Sequence, residues 1–397
     1  MRIADLKIFR ADGGWRPLSF LRVRTDTGLC GWSEFAEALW APALAESIQA
    51  LGNHVTGADP RAFGRLSARL RAMTQFTAGG LVQQAVGAIE NACLDIAAKA
   101  AGVPVYALFG GAFRQEAQLY WSHCGSFRLR HPELFEQLIG QPRIRGLPDL
   151  TELGREARSR GYQAVKTNPM AFGAGAPTLL NPGFAPEGLQ LERTLADGTL
   201  RGIVAQCRAL QEGLGADCGL MLDCNFSLHA GTLRHLAQAL EPLDLKWLEA
   251  DLASPAALAQ LRAAVRIPIA SLESLYGRRA YLPYLEAGAV DVAVVDVLWN
   301  GLAESVRIAA LAENWDVNVA PHNFYGPLAD LMSAHFCAAV PNLEIMEIEG
   351  DDVPWKYQLL TRPPQIERGR LRIPEGPGWG ADIDERAVAT HPWTQNT

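Results

Sequence analysis

The sequence predicts an α/β protein, a parallel (β/α)-type barrel preceded by an α+β unit, and three observations point there. From residue 118 onward, eight short apolar segments of strand character alternate with seven helical ones. The first 117 residues lack this rhythm and read as strands followed by helices. From residue 351 the rhythm stops in "DDVPWKYQLLTRPPQIERGRLRIPEGPGWG", a segment expected to pack back on the N-terminal unit. The expected units are therefore 1–117, 118–350 and 351–397.

In the first unit, "IADLKIFR" and "LSFLRVRTD" read as two strands, and a turn around Asp26–Gly28 leads to a third, "LCGWSEF". Helical spacing of apolar residues then marks 41–52, 60–73 and a long stretch at 79–101. In the second unit the strands are "QLYWSHCG", "YQAVKTN", "GLMLDCN", "LKWLEAD", "IPIASLES", "VDVAVVDVLW", "VNVAPHN" and "LEIMEIE". Helices are expected to begin near residues 148, 199, 230, 254, 276, 301 and 325. The stretch 170–198 is long and rich in Gly, Pro and Ala where a short loop is usual, and reads as a lid or a surface excursion.

Composition narrows the function classes. A hydrophobic fraction of 49% with 20% charged residues, and a mean hydropathy near zero, suits a globular protein with a sizeable core. A net charge of −7 with no basic run argues against nucleic acid as a partner. The opening "MRIADLKIFRADGG" has no long apolar region and no later stretch reaches the length of a membrane span, so a cytoplasmic protein without a membrane partner is expected. Seven cysteines in apolar surroundings, with no CxxC or zinc-type spacing, read as reduced, buried small hydrophobes.

Chemistry in such barrels gathers at the C-terminal ends of strands. Here strand after strand ends in an ionisable or amide group: Lys166 and Asn168, Asp223 and Asn225, Glu249, Glu273, Asp296, His322 and Glu347. Any one strand-end Asp or Asn is ordinarily a helix cap or turn former. Several carboxylates converging on one mouth would repel each other and are costly to bury unpaired, and a cation resolves the conflict. Asp223, Glu249 and Glu273 come from successive strands, and an all-oxygen donor set without His or Cys suits Mg²⁺ rather than zinc. His322 stands at a strand end beside the strand of Asp296, the arrangement of an oriented general base or of a buried structural Asp–His pair. His123 also ends a strand and can face the pocket, although nothing else singles it out.

With these residues in place, the chain resembles the enolase superfamily, and within it the mandelate racemase subgroup. The likeness spans nearly the whole chain and implies a (β/α)7β TIM-type barrel under an α+β capping domain completed by the C-terminal segment. It implies Asp223, Glu249 and Glu273 as Mg²⁺ ligands, His322 and Asp296 as a catalytic dyad, and Glu347 as an acid at the last strand. Within the subgroup the chain is similar to acid-sugar dehydratases of the galactonate dehydratase type, which share Lys-x-Asn ("KTN") and an "APH" lead-in to the base. Two departures stand out: the racemases carry a second lysine where this chain has Asn168, and the galactonate-type enzymes carry a histidine where it has Asn225.

The resemblance implies a reaction as well. A small carboxylate substrate, an acid sugar, binds Mg²⁺; His322 removes the proton α to the carboxylate; Lys166 and Glu347 stabilise the enediolate; and a β-hydroxyl leaves. With asparagine at both alternative relay positions, His322 is expected to return the proton to the leaving group as well. Asn168, Asn225 and Asn323 are candidate substrate contacts, Asn323 alternatively a helix cap. Trp15 and Arg16 in "ADGGWRP" are candidates for the distal end of the substrate, Trp15 alternatively packing between domains. A homo-oligomer is expected, with racemase, epimerase or cycloisomerase chemistry and a non-catalytic binding protein as rival readings.

Overall fold

The computed structural model of the chain describes residues 1–37, 41–172, 177–180 and 193–394. Strands β1 (Ile3–Asp12), β2 (Pro17–Thr25) and β3 (Cys30–Phe35) form an antiparallel meander. Its first connection is tight because Gly14 takes φ +81° and its N–H donates to Asp12 Oδ1 at 2.7 Å. Three helices follow: α1 (Leu44–Gly52), α2 (Phe63–Met73) and α3 (Gly80–Ala101). The first begins at Leu44 rather than near 41, and the second at Phe63 rather than near 60, because Pro60–Ala62 is a single 3₁₀ turn capped by Asp59. Helix α3 is buried over most of its length because it packs on the meander on one side and on the second unit on the other.

The second unit supplies eight parallel strands: β4 (Glu116–Ser122), β5 (Ala164–Thr167), β6 (Gly219–Asp223), β7 (Trp247–Glu249), β8 (Ile269–Ser271), β9 (Val292–Asp296), β10 (Asn318–His322) and β11 (Met346–Glu349). Each pairs in parallel with the next from β4 through β10, and β11 pairs in parallel with β4. A parallel bridge between Val319 and Leu343 joins β10 to the segment entering β11, so the circuit of pairings returns to its start. The connecting helices are α4 (Leu147–Ser159), α5 (Asp197–Leu214), α6 (Ala230–Leu240), α7 (Pro255–Ala263), α8 (Arg278–Glu286), α9 (Leu302–Glu313) and α10 (Pro327–Ala339).

Strand alternation divides the apolar side chains into two sets. One set, Tyr120, Ala164, Met221, Trp247, Ala270, Val292, Val294, Ala320 and Ile345, forms a cluster of its own fed by all eight strand segments. Their strand neighbours, including Leu119, Val165, Leu222, Leu248 and Ile269, pack with the surrounding helices in the large core. That division decides which polar groups face the inner side.

The two units are joined by polar groups rather than by grease alone. Glu34, at the end of β3, accepts the N–H groups of Leu328 and Ala329 at 3.0 Å each and that of Gly326, and so caps α10 from the other unit. Asn91 on α3 bonds Val297 O and Leu302 N–H. The C-terminal segment contacts the first unit: Trp379 N–H donates to Asp95, Lys99 pairs with Asp382, and Asp12 N–H donates to His391 O. Of the stretch 170–198, Met170–Ala171 pairs antiparallel with Thr178–Leu179; residues 173–176 and 181–192, which carry most of the expected lid, lie outside the described residues. Among the described residues no helix is long and apolar enough to cross a membrane.

Candidate active site

The inner cluster locates the site by counting. Two residues beyond Ala164, Met221, Trp247, Val294, Ala320 and Ile345 stand Lys166, Asp223, Glu249, Asp296, His322 and Glu347. With a period of two, each must share the inner face of its strand, one layer nearer the C-terminal end. The parallel register sets them side by side: Asp223 opposite Glu249, and Asp296 opposite His322. Only β8 breaks the rule. Two residues beyond Ala270 is Leu272, which turns to φ +90°, and the carboxylate is carried by Glu273 instead. Asp251 clamps this unusual turn by accepting from Ser271 Oγ at 2.6 Å and Leu272 N–H at 3.1 Å.

Lys166 is the centre of charge. Its Nζ lies 3.0 Å from Glu249, 3.1 Å from Glu347 and 3.7 Å from Asp223, with all four side chains buried. Burial opposes the ammonium, but Glu249 and Glu347 outweigh it and hold Lys166 well above the usual lysine range, so it stays charged. In return Lys166 and His322 hold Glu347 down to about 2 despite its burial. Burial pushes Glu249 up to about 7, with Asp223 adding repulsion against the pull of Lys166. Glu273 is raised well above the carboxylate range by burial, in spite of His322.

These carboxylates form a donor set suited to a hard divalent cation: acid oxygens from β6, β7 and the turn after β8, carrying more negative charge than Lys166 neutralises. Among the described residues, however, no three His, Cys, Asp or Glu side chains are drawn close enough to hold a metal by themselves. Of the three carboxylates expected to hold Mg²⁺, Asp223 and Glu249 flank the Lys166 ammonium, and Glu273 lies 3.4 Å from His322 Nε2.

The dyad is closely built. His322 Nδ1 lies 2.7 Å from Asp296 Oδ2, which also accepts the Tyr325 hydroxyl at 2.5 Å. Asp296 Oδ1 accepts Trp299 N–H at 2.7 Å, so its carboxylate is fixed at both oxygens. An Nδ1 engaged by a carboxylate leaves Nε2 for chemistry. Against the cost of burial, Glu273 and Asp296 together raise His322 to about 10.

The expected substrate contacts fare differently. Asn168 Oδ1 accepts from Ser126 Oγ at 2.8 Å and its Nδ2 donates to Asp223 O at 3.2 Å, so each amide atom has a protein partner. Asn225 hydrogen-bonds Asp223 Oδ1 through its N–H and Nδ2, both at 2.8 Å, and steadies that carboxylate. Asn323 donates its Nδ2 to Asp330 and Glu347 O and its N–H to Glu347 Oε2 at 2.7 Å, leaving Oδ1 buried without a partner among the described residues. Trp15 packs against Phe127, His131 and Phe135 between the two units. Arg16 lies over Trp15 and gives Nη2 to Asp352 and Tyr325 O, while its buried Nε and Nη1 make no hydrogen bond among the described residues.

Sequence reasoning missed Ser122, which donates to Glu347; Tyr325, which braces Asp296; and Glu349, which meets His123. Ser122 and Glu349 were findable by the same count of two, from Tyr120 and from Glu347.

The N-terminal residues 8–110 match the model of the mandelate racemase/muconate lactonizing enzyme N-terminal domain, and residues 149–387 that of the enolase C-terminal domain-like family. Over 394 residues the chain is 28% identical to a D-xylonate dehydratase of Haloferax volcanii, covering 98% of this chain and 88% of that one. It is 27% identical over 399 residues to a D-galactonate dehydratase of Ralstonia nicotianae, covering 98% and 94%. A solved structure from Burkholderia xenovorans strain LB400, provisionally named an L-alanine-DL-glutamate epimerase, is 39% identical with a TM-score of 0.96 over 100% of this chain and 99% of that one. A second structure of that protein, bound to magnesium and fumarate, has a TM-score of 0.95 over 99% and 97%. The chain belongs to the enolase superfamily, in its mandelate racemase subgroup.

Proposed function

We propose that the closed circuit of parallel strands is a (β/α)7β barrel and that its C-terminal mouth carries a Mg²⁺-dependent acid-sugar dehydratase. The observation that carries this reading is the pairing of a carboxylate-backed imidazole, His322 on Asp296, with a buried ammonium, Lys166, set among strand-end carboxylates. Asp223, Glu249 and Glu273 would hold Mg²⁺, which supplies charge to a bound carboxylate as negative charge develops on it. His322 Nε2 takes the proton α to that carboxylate: Glu273, which lies against Nε2 and helps hold the imidazole charged, would be drawn to the metal, and Asp296 with Tyr325 keeps the freed ring in the tautomer that can act as base. Lys166 faces the growing negative charge on the substrate. Glu347, held by Ser122 and Asn323 N–H, lies on the same side. Arg16, with two buried nitrogens unpaired among the described residues, is the group suited to the far end of the substrate, where sugar hydroxyls or a second carboxylate would satisfy it. The curated relatives named as sugar-acid dehydratases support the reaction class.

The test is a panel of aldonates and aldarates, D-xylonate, D-galactonate and D-gluconate among them, incubated with and without Mg²⁺ and assayed for 2-keto-3-deoxy acids. Mg²⁺-dependent keto acid from at least one is the expected result; none from any would refute the proposal. Epimerase chemistry is the second reading, favoured by the name given to the 39% identical structure. It needs a base on each face of the α-carbon, and a lysine held as ammonium by three carboxylates is a poor one. Formation of an epimer without keto acid, followed by proton NMR, would decide for it.

A further inference from the structure

We propose that His123, backed by Glu349, is a second imidazole of the site and supplies the proton that the departing β-hydroxyl needs. This rests on the dehydratase reading and reassigns one step of it, since the sequence assigns that proton to His322.

Strand β4 ends at Ser122, and His123 turns to φ +49°, a left-handed conformation uncommon for a side chain of this size. The turn presents the ring to the inner side. His123 Nδ1 lies 3.0 Å from Glu349 Oε2 and 3.2 Å from Ser122 Oγ, and Ser122 in turn donates to Glu347. Among the described residues, His123 Nε2 makes no hydrogen bond, and the side chain keeps 19% exposure while Glu349 has none. The arrangement repeats that of His322 and Asp296: Nδ1 on a buried carboxylate, Nε2 left for other partners.

Placement favours a role on the substrate. Phe324 stands between the two histidines, its ring centroid 5.2 Å from His123 and 5.1 Å from His322, so the two rings lie within about 10 Å of each other. In an eight-stranded circuit, β4 and β11 face β7 and β8 across the ring, where Glu249 and Glu273 arise. The proposal seats the substrate with its carboxylate over β6–β8 and its next carbons toward His123 and Glu349 on the facing strands. The opposite wall of His123 is the ring of Phe127, stacked at 4.4 Å, which fixes its orientation.

The proton balance closes within the pair. Burial keeps the His123 imidazole from charging, and burial beside Asp351 favours the neutral acid of Glu349. Glu349 then donates to Nδ1, and the imidazole proton sits on Nε2, facing the substrate. As the C–O bond at the β-carbon breaks, its electron pair stays on oxygen; the Nε2 proton joins it and water leaves. The Glu349 proton moves to Nδ1, so His123 ends neutral and Glu349 ends as a carboxylate. His322 holds the proton taken from the α-carbon, and exchange with water resets both groups.

The experiment uses the full-chain enzyme with Mg²⁺, the aldonate that the panel identifies, and its 3-deoxy-3-fluoro analogue, because fluoride leaves as an anion without a proton. His123→Asn and Glu349→Gln are compared with the wild type in D₂O. Dehydration is expected to fall about 100-fold or more. Deuterium exchange at C2 should persist, and fluoride release should stay within a few-fold of wild type. Variants that dehydrate at the wild-type rate, or lose exchange and fluoride release in step with dehydration, would overturn the assignment while leaving the dehydratase reading intact. A wild type that forms no keto acid from any member of the panel would overturn both.

Discussion

Replacing Lys166 by Met removes the positive charge from the middle of the site while keeping an unbranched side chain one atom shorter. Nζ lies within 3.0, 3.1 and 3.7 Å of three buried carboxylates. At an effective dielectric of about 20, each contact near 3 Å carries a gross attraction of about 5 kcal/mol. Most of that offsets the cost of bringing the ions out of water, and removing one partner of a buried pair has a net cost of about 3–5 kcal/mol. Lys166→Met should therefore unfold at a markedly lower urea concentration when no divalent cation is present. If Asp223, Glu249 and Glu273 form the cation site, saturating Mg²⁺ should recover more stability in the variant than in the wild type, because the cation relieves the repulsion that the lysine no longer relieves. Urea unfolding followed by tryptophan fluorescence, with EDTA and with Mg²⁺, gives all four values. A variant as stable as wild type in EDTA, or one that Mg²⁺ does not stabilise, would refute the reasoning.

Three further outcomes are expected. Glu34→Ala strips acceptors from three buried N–H groups at the start of α10 and should cost about 3–6 kcal/mol of stability at roughly 1–2 kcal/mol per orphaned donor, read by urea unfolding. His335 is fully buried, accepts Tyr106 N–H at Nδ1, and burial holds it down to about 4. Its contribution to stability is thus complete above the ordinary histidine value near 6.5 and is lost as pH falls from there toward 4, a change of about 3 kcal/mol; His335→Gln should flatten the stability profile in that window. Asp296→Asn keeps the side chain's size but offers an amide to the Tyr325 hydroxyl and to His322, and turnover should fall about 100-fold or more with KM little changed, measured by steady-state kinetics.

Much of the site could be read from the chain because its strands are short, apolar and regular. Once Ala164, Met221, Trp247, Val294, Ala320 and Ile345 are known to face inward, the period of two places Lys166, Asp223, Glu249, Asp296, His322 and Glu347 without further information. Where the backbone leaves that period, legibility ends. Leu272 turns left-handed, so the carboxylate on β8 comes one residue late, and His123 does the same after Ser122. In both cases the local sequence carries no glycine at the turning residue to announce it. The hydrogen-bond partners of the amides were less legible. Asn225 bonds Asp223 two residues before it, but Asn168 and Asn323 bond Ser126, Asp223, Asp330 and Glu347, partners that the packed chain brings within reach.

The most direct measurement is proton NMR of an acid sugar from the panel, incubated in D₂O with Mg²⁺ and either the wild type or His322→Asn. With the wild type, keto acid should form. With His322→Asn, neither keto acid nor deuterium at C2 should appear above about one-hundredth of the wild-type rate, because the group that removes the α-proton is gone. Deuterium entering C2 at close to the wild-type rate in His322→Asn would show that another group abstracts the proton, and would contradict the assignment of His322 as the base.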